Sequence, residues 1–177
     1  MNKIINCLLI ICSAYSSMAQ YPPVTIPGTE TRTITSSIVK GQEYNIQIHL
    51  PGNYSSSDKI YPVVFVMDAQ WDFPLVNSIY GQQYYDGFVP EVIIAGVTWG
   101  GLKPNPDSLR ARDYTPTRIP GMIQSGGADK FLQFMKEELF PFMKSNYRAD
   151  LNQSVLMGCS LGGLFTLYTL FTQPSLF

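Results

Sequence analysis

Three stretches of this chain run apolar without alternation: Tyr61-Pro62-Val63-Val64-Phe65-Val66-Met67, Val92-Ile93-Ile94-Ala95-Gly96-Val97 and Ser154-Val155-Leu156-Met157. A strand with one wet face alternates polar and apolar side chains. Loss of that alternation predicts strands buried on both faces, inside a sheet that helices cover from either side. Crossover-length segments separate the three runs, which implies an α/β fold with a mostly parallel sheet flanked by helices. In one of those segments, Asp129 to Asn146, Phe131, Phe134, Met135, Leu139, Phe142 and Met143 fall at helical spacing. That spacing predicts a helix kinked at Pro141, whose ring displaces a backbone hydrogen bond.

Nearer the N-terminus, Thr31 to Val39 and Tyr44 to Leu50 alternate around Lys40-Gly41-Gln42. Two antiparallel strands joined by a tight turn are predicted there. The second strand sets Ile46, Ile48 and Leu50 on one face and leaves His49 on the other, where it is expected to meet solvent.

The first nineteen residues read as a secretory signal peptide. Lys3 opens an apolar run from Ile4 to Ile11 that ends in a small-x-small pattern at Ser17 and Ala19, so cleavage is expected after Ala19 and the protein is expected to be secreted or periplasmic. The run is too short to cross a hydrocarbon core that takes about 20 residues, so no stable membrane insertion is expected. Cys7 and Cys12 would leave with the leader, and Cys159 alone would remain, unable to pair within the chain. One histidine and one cysteine make a poor metal set, and no cofactor is expected. Twelve Lys and Arg against thirteen Asp and Glu leave no positive excess for a phosphate backbone, so nucleic acid is not an expected partner. Residues 20–177 show no repeat or low-complexity linker and read as part of a single domain.

The segment that carries chemistry is Ser154-Val155-Leu156-Met157-Gly158-Cys159-Ser160-Leu161-Gly162-Gly163-Leu164-Phe165. It is an apolar strand, a Gly-x-Ser-x-Gly turn and an apolar helix, the context a nucleophile elbow requires. So tight a turn has no room for side chains at Gly158 and Gly162, and it presents Ser160 at the sheet's carboxyl edge as the candidate nucleophile. The helix that follows aims its free amides at the site, so the Leu161 N–H is a candidate oxyanion donor. Cys159 is expected to be a small buried neighbour rather than the nucleophile.

These residues resemble the esterase family of the α/β-hydrolase fold that includes enterochelin esterases, S-formylglutathione hydrolases, feruloyl esterases and mycolyltransferases. Tyr61 to Asp68 is similar to the family's strand leading into an Asp-Gly turn, and Arg110-Ala111-Arg112-Asp113-Tyr114-Thr115-Pro116 is similar to its Arg-Asp-x-Thr-Pro segment. Glu138-Leu139-Phe140-Pro141 with Tyr147-Arg148 is similar to its Glu-Leu-x-Pro helix end and Tyr-Arg pair. The Arg-x-Arg-Asp-Tyr-Thr-Pro string points toward the enterochelin-esterase-like branch. The resemblance implies a serine esterase acting on a small-molecule ester, of siderophore or carbohydrate type, with a second oxyanion donor at the backbone N–H of Gln70. It also places Arg112 and Asp113 near a substrate cleft, where a structural ion pair is the competing reading. Trp71 is a candidate substrate contact and Trp99 a candidate pocket wall. One departure stands out: the family's turn glycine is Ala69 here.

A hydrolase of this fold takes its acid and its histidine after the serine in chain order, and Leu161 to Phe177 contain neither Asp, Glu nor His. The expectation is an N-terminal portion, truncated after the elbow helix and inactive alone, with Ser154–Met157 left as an edge strand. An acyltransferase of the same fold and a noncatalytic ligand-binding module are the alternative readings.

Overall fold

The computed structural model describes residues 25–177, and the leader expected over residues 1–19 lies outside them. Five strands form one sheet in the order β1-β2-β4-β3-β5. β1 (Thr29–Thr35) and β2 (Glu43–His49) pair antiparallel, and β2 lies antiparallel to β4 (Ile93–Trp99). β3 (Tyr61–Val66) sits between β4 and β5 (Ala149–Met157), parallel to both. The three unalternating runs are therefore neighbours in space, as their composition demands.

β4 is buried at all seven positions because helices cover it twice. On one face α1 (Ala69–Tyr85) packs Ala69 and Phe73 against Val66, Val92 and Ile94. On the other lie α2 (Pro106–Tyr114), α3 (Ala128–Phe134), α4 (Phe140–Asn146) and α5 (Leu161–Thr172), with Tyr114, Phe131, Phe134, Met143 and Phe165 over Tyr44, Ile46, Phe65 and Val97. Gly96 marks the closest approach of α1. A Cβ there would meet Ala69 Cβ and Phe73 Cδ2, both at 2.7 Å.

Several sequence expectations need revision. Val39 does not extend β1. It turns into the core from residues 36–42, where Ser36 Oγ accepts the Val39 N–H at 2.8 Å, so the connection is a structured loop rather than a tight turn. The helix predicted over 129–146 does not simply kink at Pro141. It passes through a π turn at Met135–Leu139, and Phe140 N–H reaches back to Met135 O. One residue of slack inserted ahead of a proline that has no N–H to give lets the helix continue instead of breaking.

β5 is buried on one face only. Leu156 is buried while Val155 and Met157 are about half exposed, since no element among the described residues packs on their side and β5 is the sheet's edge. His49 is not solvent-facing. The face opposite Ile48 lies under α1, where the imidazole meets the Tyr80 ring edge-on at a centroid distance of 5.9 Å. Burial there pushes its pKa below the ordinary value, with Asn77 opposing. Among the described residues no helix is long and apolar enough to cross a membrane.

Candidate active site

Two chain reversals meet at the carboxyl ends of the parallel strands. β5 runs through Gly158 and Cys159 into Ser160, whose backbone takes φ 54° and ψ −119°, and α5 starts at the next residue. Positive φ in a non-glycine residue is strained, and a tight strand-to-helix turn is where such strain is kept. The glycines leave no room for anything else. A Cβ on Gly158 would lie 2.4 Å from the carbonyl carbon of Gly162, and one on Gly162 would lie 3.2 Å from Met67 Cβ. Ser160 is exposed, and the amide of Leu161 belongs to the first turn of α5, whose N–H groups have no intrahelical acceptor. Cys159 is exposed too, against expectation, because the edge position of β5 leaves its side uncovered.

The second reversal joins β3 to α1. Met67 N–H donates to Met157 O at 2.9 Å, which carries the β3–β5 pairing right up to both turns. Asp68 then adopts left-handed backbone, φ 53° and ψ 40°, and α1 begins at Ala69. This resolves the departure from the family pattern. The left-handed residue is Asp68, while Ala69 is already helical and its methyl fills the space that Gly96 leaves open. The Asp68 carbonyl accepts from Trp71 and Asp72, so the amides of Ala69 and Gln70 head the helix outside its ladder. The Gln70 side chain is turned aside, its Oε1 accepting from Thr98 Oγ1 at 2.6 Å, and what it offers the site is its backbone. The turns touch: a Cβ on Gly162 would sit 3.3 Å from Asp68 Oδ2.

Around this junction α2 supplies Arg110 and Tyr114. Arg110 forms a two-pronged ion pair with Asp68, Nε to Oδ1 at 3.1 Å and Nη2 to Oδ2 at 2.8 Å, which holds the guanidinium firmly charged. The same guanidinium lies 5.6 Å above the half-exposed Trp71 ring. Asp72, beside them, is pushed up by partial burial and by the Asp68 charge, with Arg110 opposing. Between α2 and the 121–124 loop opens a cleft of about 650 Å³, walled by Asn105, Ser108, Arg110, Met122, Gln124 and Leu161.

Arg112 and Asp113 are not part of this cleft. Asp113 is 1% exposed, and its carboxylate accepts from Tyr44 Oη at 2.8 Å, Trp99 Nε1 at 2.7 Å and Arg112 at 2.6 and 3.0 Å. The pair ties α2 to the sheet, the geometry of a structural ion pair. Trp99 is buried by the same contact and is not among the residues that wall this cleft. A helix turns about 100° per residue, so within the Arg110–Tyr114 string the arginine that reaches the site is Arg110, which shares its side of α2 with Tyr114. The i, i+4 relation was the available signal for both. His49 ends β2 opposite Ile94, at the amino end of the parallel strands, with β4 and β3 between it and the strand that carries Ser160.

A parallel-centred sheet wrapped by helices, with a serine on a strained glycine-flanked turn at its carboxyl edge, defines the α/β-hydrolase type. Within it the chain belongs to the Esterase family, whose model, described as "Putative esterase", matches residues 36–177. It is 34% identical over 167 residues to "Ferri-bacillibactin esterase BesA" of Bacillus subtilis, covering 86% of this chain and 56% of that protein. Over 162 residues it is 26% identical to "Siderophore triacetylfusarinine C esterase" of Aspergillus fumigatus, covering 88% of this chain and 54% of that one. Among solved structures, the BES protein from Bacillus cereus superposes with a TM-score of 0.77 at 31% identity, covering 89% of this chain and 61% of its own. The chain thus spans little more than half the length of the curated relatives it matches.

Proposed function

We propose that this chain carries the nucleophile and oxyanion-binding part of a serine hydrolase that cleaves carboxylic esters of the siderophore kind. The observation that carries the reading is Ser160 at φ 54° between Gly158 and Gly162, set against the unladdered amides of two helix starts. In the reaction Ser160 Oγ forms a bond to the ester carbonyl carbon. The oxyanion that results is met by the N–H groups of Leu161 and Gln70. The alcohol leaves with a proton, and water then releases the acid. The scheme calls for a histidine as general base, and His49 does not meet that need, because it lies at the amino end of the parallel strands, with two strands between β2 and β5.

Arg110 lines the cleft and, with the half-exposed Trp71 ring beside it, offers a cation and an aromatic surface suited to an acyl group that is itself aromatic or anionic. The relatives, a ferri-bacillibactin esterase in a bacterium and a siderophore triacetylfusarinine C esterase in a fungus, support the same substrate class. The signal-like sequence of residues 1–19, a basic start and an apolar run closed by Ser17 and Ala19, supports a secreted or periplasmic site of action. Nothing in the charge balance supports a nucleic-acid partner.

The test is hydrolysis of p-nitrophenyl esters and of a ferric catecholate triester by the complete gene product, with fluorophosphonate labelling in parallel. Activity and labelling that both vanish in Ser160→Ala establish the reading. Saturable binding of the triester without labelling would replace it with a binding module, and acyl transfer to an added sugar in preference to water would replace it with an acyltransferase.

A further inference from the structure

We infer that Arg110 and Tyr114 are positioning residues for the chemistry at Ser160. From α2 they hold Asp68 in left-handed backbone, and that turn fixes where the Ala69 and Gln70 amides lie relative to the elbow. The role in catalysis rests on the function proposed above, while the backbone role does not.

Left-handed φ disfavours any residue with a Cβ, and aspartate tolerates it better than most without preferring it. Something must therefore keep Asp68 there. It is 2% exposed, and each of its polar groups has a partner. Its N–H donates to Tyr114 Oη at 3.0 Å, its carboxylate takes both prongs of Arg110, and its carbonyl carries the first two intrahelical bonds of α1. Two of these three anchors come from one turn of α2. The residues that follow leave no slack either: Ala69 is wedged against Gly96, and Gln70 is tied to Thr98.

The same clamp reaches the other donor. Gly162, in the first turn of α5, approaches both Asp68 Oδ2 and the Tyr114 ring, and that ring lies 5.8 Å from Phe165. Tyr114 thus bonds to the turn that starts α1 and turns its ring toward α5, although it is fully buried and cannot meet substrate. A glycine at 68 would adopt the turn without strain and would also leave it free to move. The strained, clamped aspartate makes a rigid donor pair out of two separate helix starts.

The experiment compares wild type, Tyr114→Phe and Arg110→Lys. Tyr114→Phe keeps the aromatic packing and removes only the oxygen that accepts the Asp68 N–H. Arg110→Lys keeps a charge and loses the fork. Backbone 15N spectra and amide exchange are read first at Ala69, Gln70 and Leu161. The expected result is shifted Ala69 and Gln70 resonances with exchange at least about tenfold faster in both variants.

In the complete gene product, kcat for an ester should then fall about tenfold, less than the 10²–10³ seen for outright loss of an oxyanion donor, and in Tyr114→Phe, whose side chain is fully buried, KM should change less than about twofold. The preference for the ester over its thionoester should fall as well, because only an ordered donor pair distinguishes oxygen from sulfur. Unmoved amides in both variants overturn the inference. So does an unchanged kcat with an unchanged oxygen-to-sulfur preference. Moved amides in the variants, alongside a wild-type protein that neither hydrolyses esters nor labels at Ser160, would sink the proposed function and leave the clamp standing.

Discussion

Placing a methyl group at position 158 separates two explanations of the elbow, backbone freedom and lack of space. Gly158 does not use left-handed backbone, so an alanine costs nothing in torsion. Its Cβ would nevertheless sit 2.4 Å from the Gly162 carbonyl carbon and 2.5 Å from its oxygen. Carbon atoms settle about 3.5–4.0 Å apart, so α5 would have to retreat from β5 by about 1 Å, and a backbone obstacle cannot rotate out of the way. Overpacking of this kind costs about 1–3 kcal/mol, and a rigid obstacle belongs at the upper end. At about 2–4 °C per kcal/mol for a chain of this size, Tm should fall by about 6–12 °C.

The internal control is Gly163→Ala. There the nearest atom is Gly158 O at 3.2 Å, which a shift of a few tenths of an ångström relieves. The gain of about 1 kcal/mol in helix propensity offsets that shift, so the net change should stay within about 1 kcal/mol. Urea unfolding at 25 °C, followed by tryptophan fluorescence and near-ultraviolet circular dichroism, measures both. Equal stabilities for the two variants, or a Gly158→Ala protein within about 0.5 kcal/mol of wild type, would refute the steric account.

The Ala69–Gly96 contact should behave as a coupled pair. Gly96→Ala alone brings two methyl carbons to 2.7 Å and should destabilise by about 1–3 kcal/mol, and adding Ala69→Gly should recover part of that loss; strictly additive effects in a double-mutant cycle would show that the two do not touch. His49 sets a pH dependence. Its folded pKa lies below the ordinary 6.5 through burial, so the unfolded chain binds more protons in the window between the two values. Stability should be full above that ordinary value, decline as pH falls through it, and level off below the folded value. Urea midpoints from pH 8 to 5 should show that slope in wild type and lose it in His49→Gln. A proton NMR titration of this sole imidazole at or above 6.5 would contradict the burial argument.

The parts of the fold legible in the sequence were those where a single periodicity decides the outcome. Val63 to Met67 and Val92 to Val97 could only be doubly covered strands, and the Gly158–Gly162 spacing could only serve a turn with no space for side chains. What escaped was set by which element lies over which. Alternation put His49 on the face opposite Ile48, but only the path of α1 shows that face to be roofed by Tyr80. The same rule made Ser154–Met157 look fully buried, when half of it faces outward at the sheet's edge. At the site, the string Arg110 to Pro116 announced itself without saying which arginine points where. Arg112 lies next to Asp113 in sequence and pairs with it, while Arg110 crosses to Asp68 on another element, a contact that sequence spacing does not encode.

The sheet order carries a consequence for how the molecule comes into being. β1 meets β2 across a short loop and β3 meets β4 across the single crossover helix α1, but β5 reaches β3 only after α1, β4, α2 and the long helix have been made. Loop-closure entropy makes such a distant pairing slow, so it falls late on the route to the native state. The strained backbone of Ser160 is created by that pairing, since the elbow has no wall to press against until Met157 docks beside Met67. Until that distant pairing forms, a nascent chain has no strained turn to hold Ser160 at the sheet's carboxyl edge.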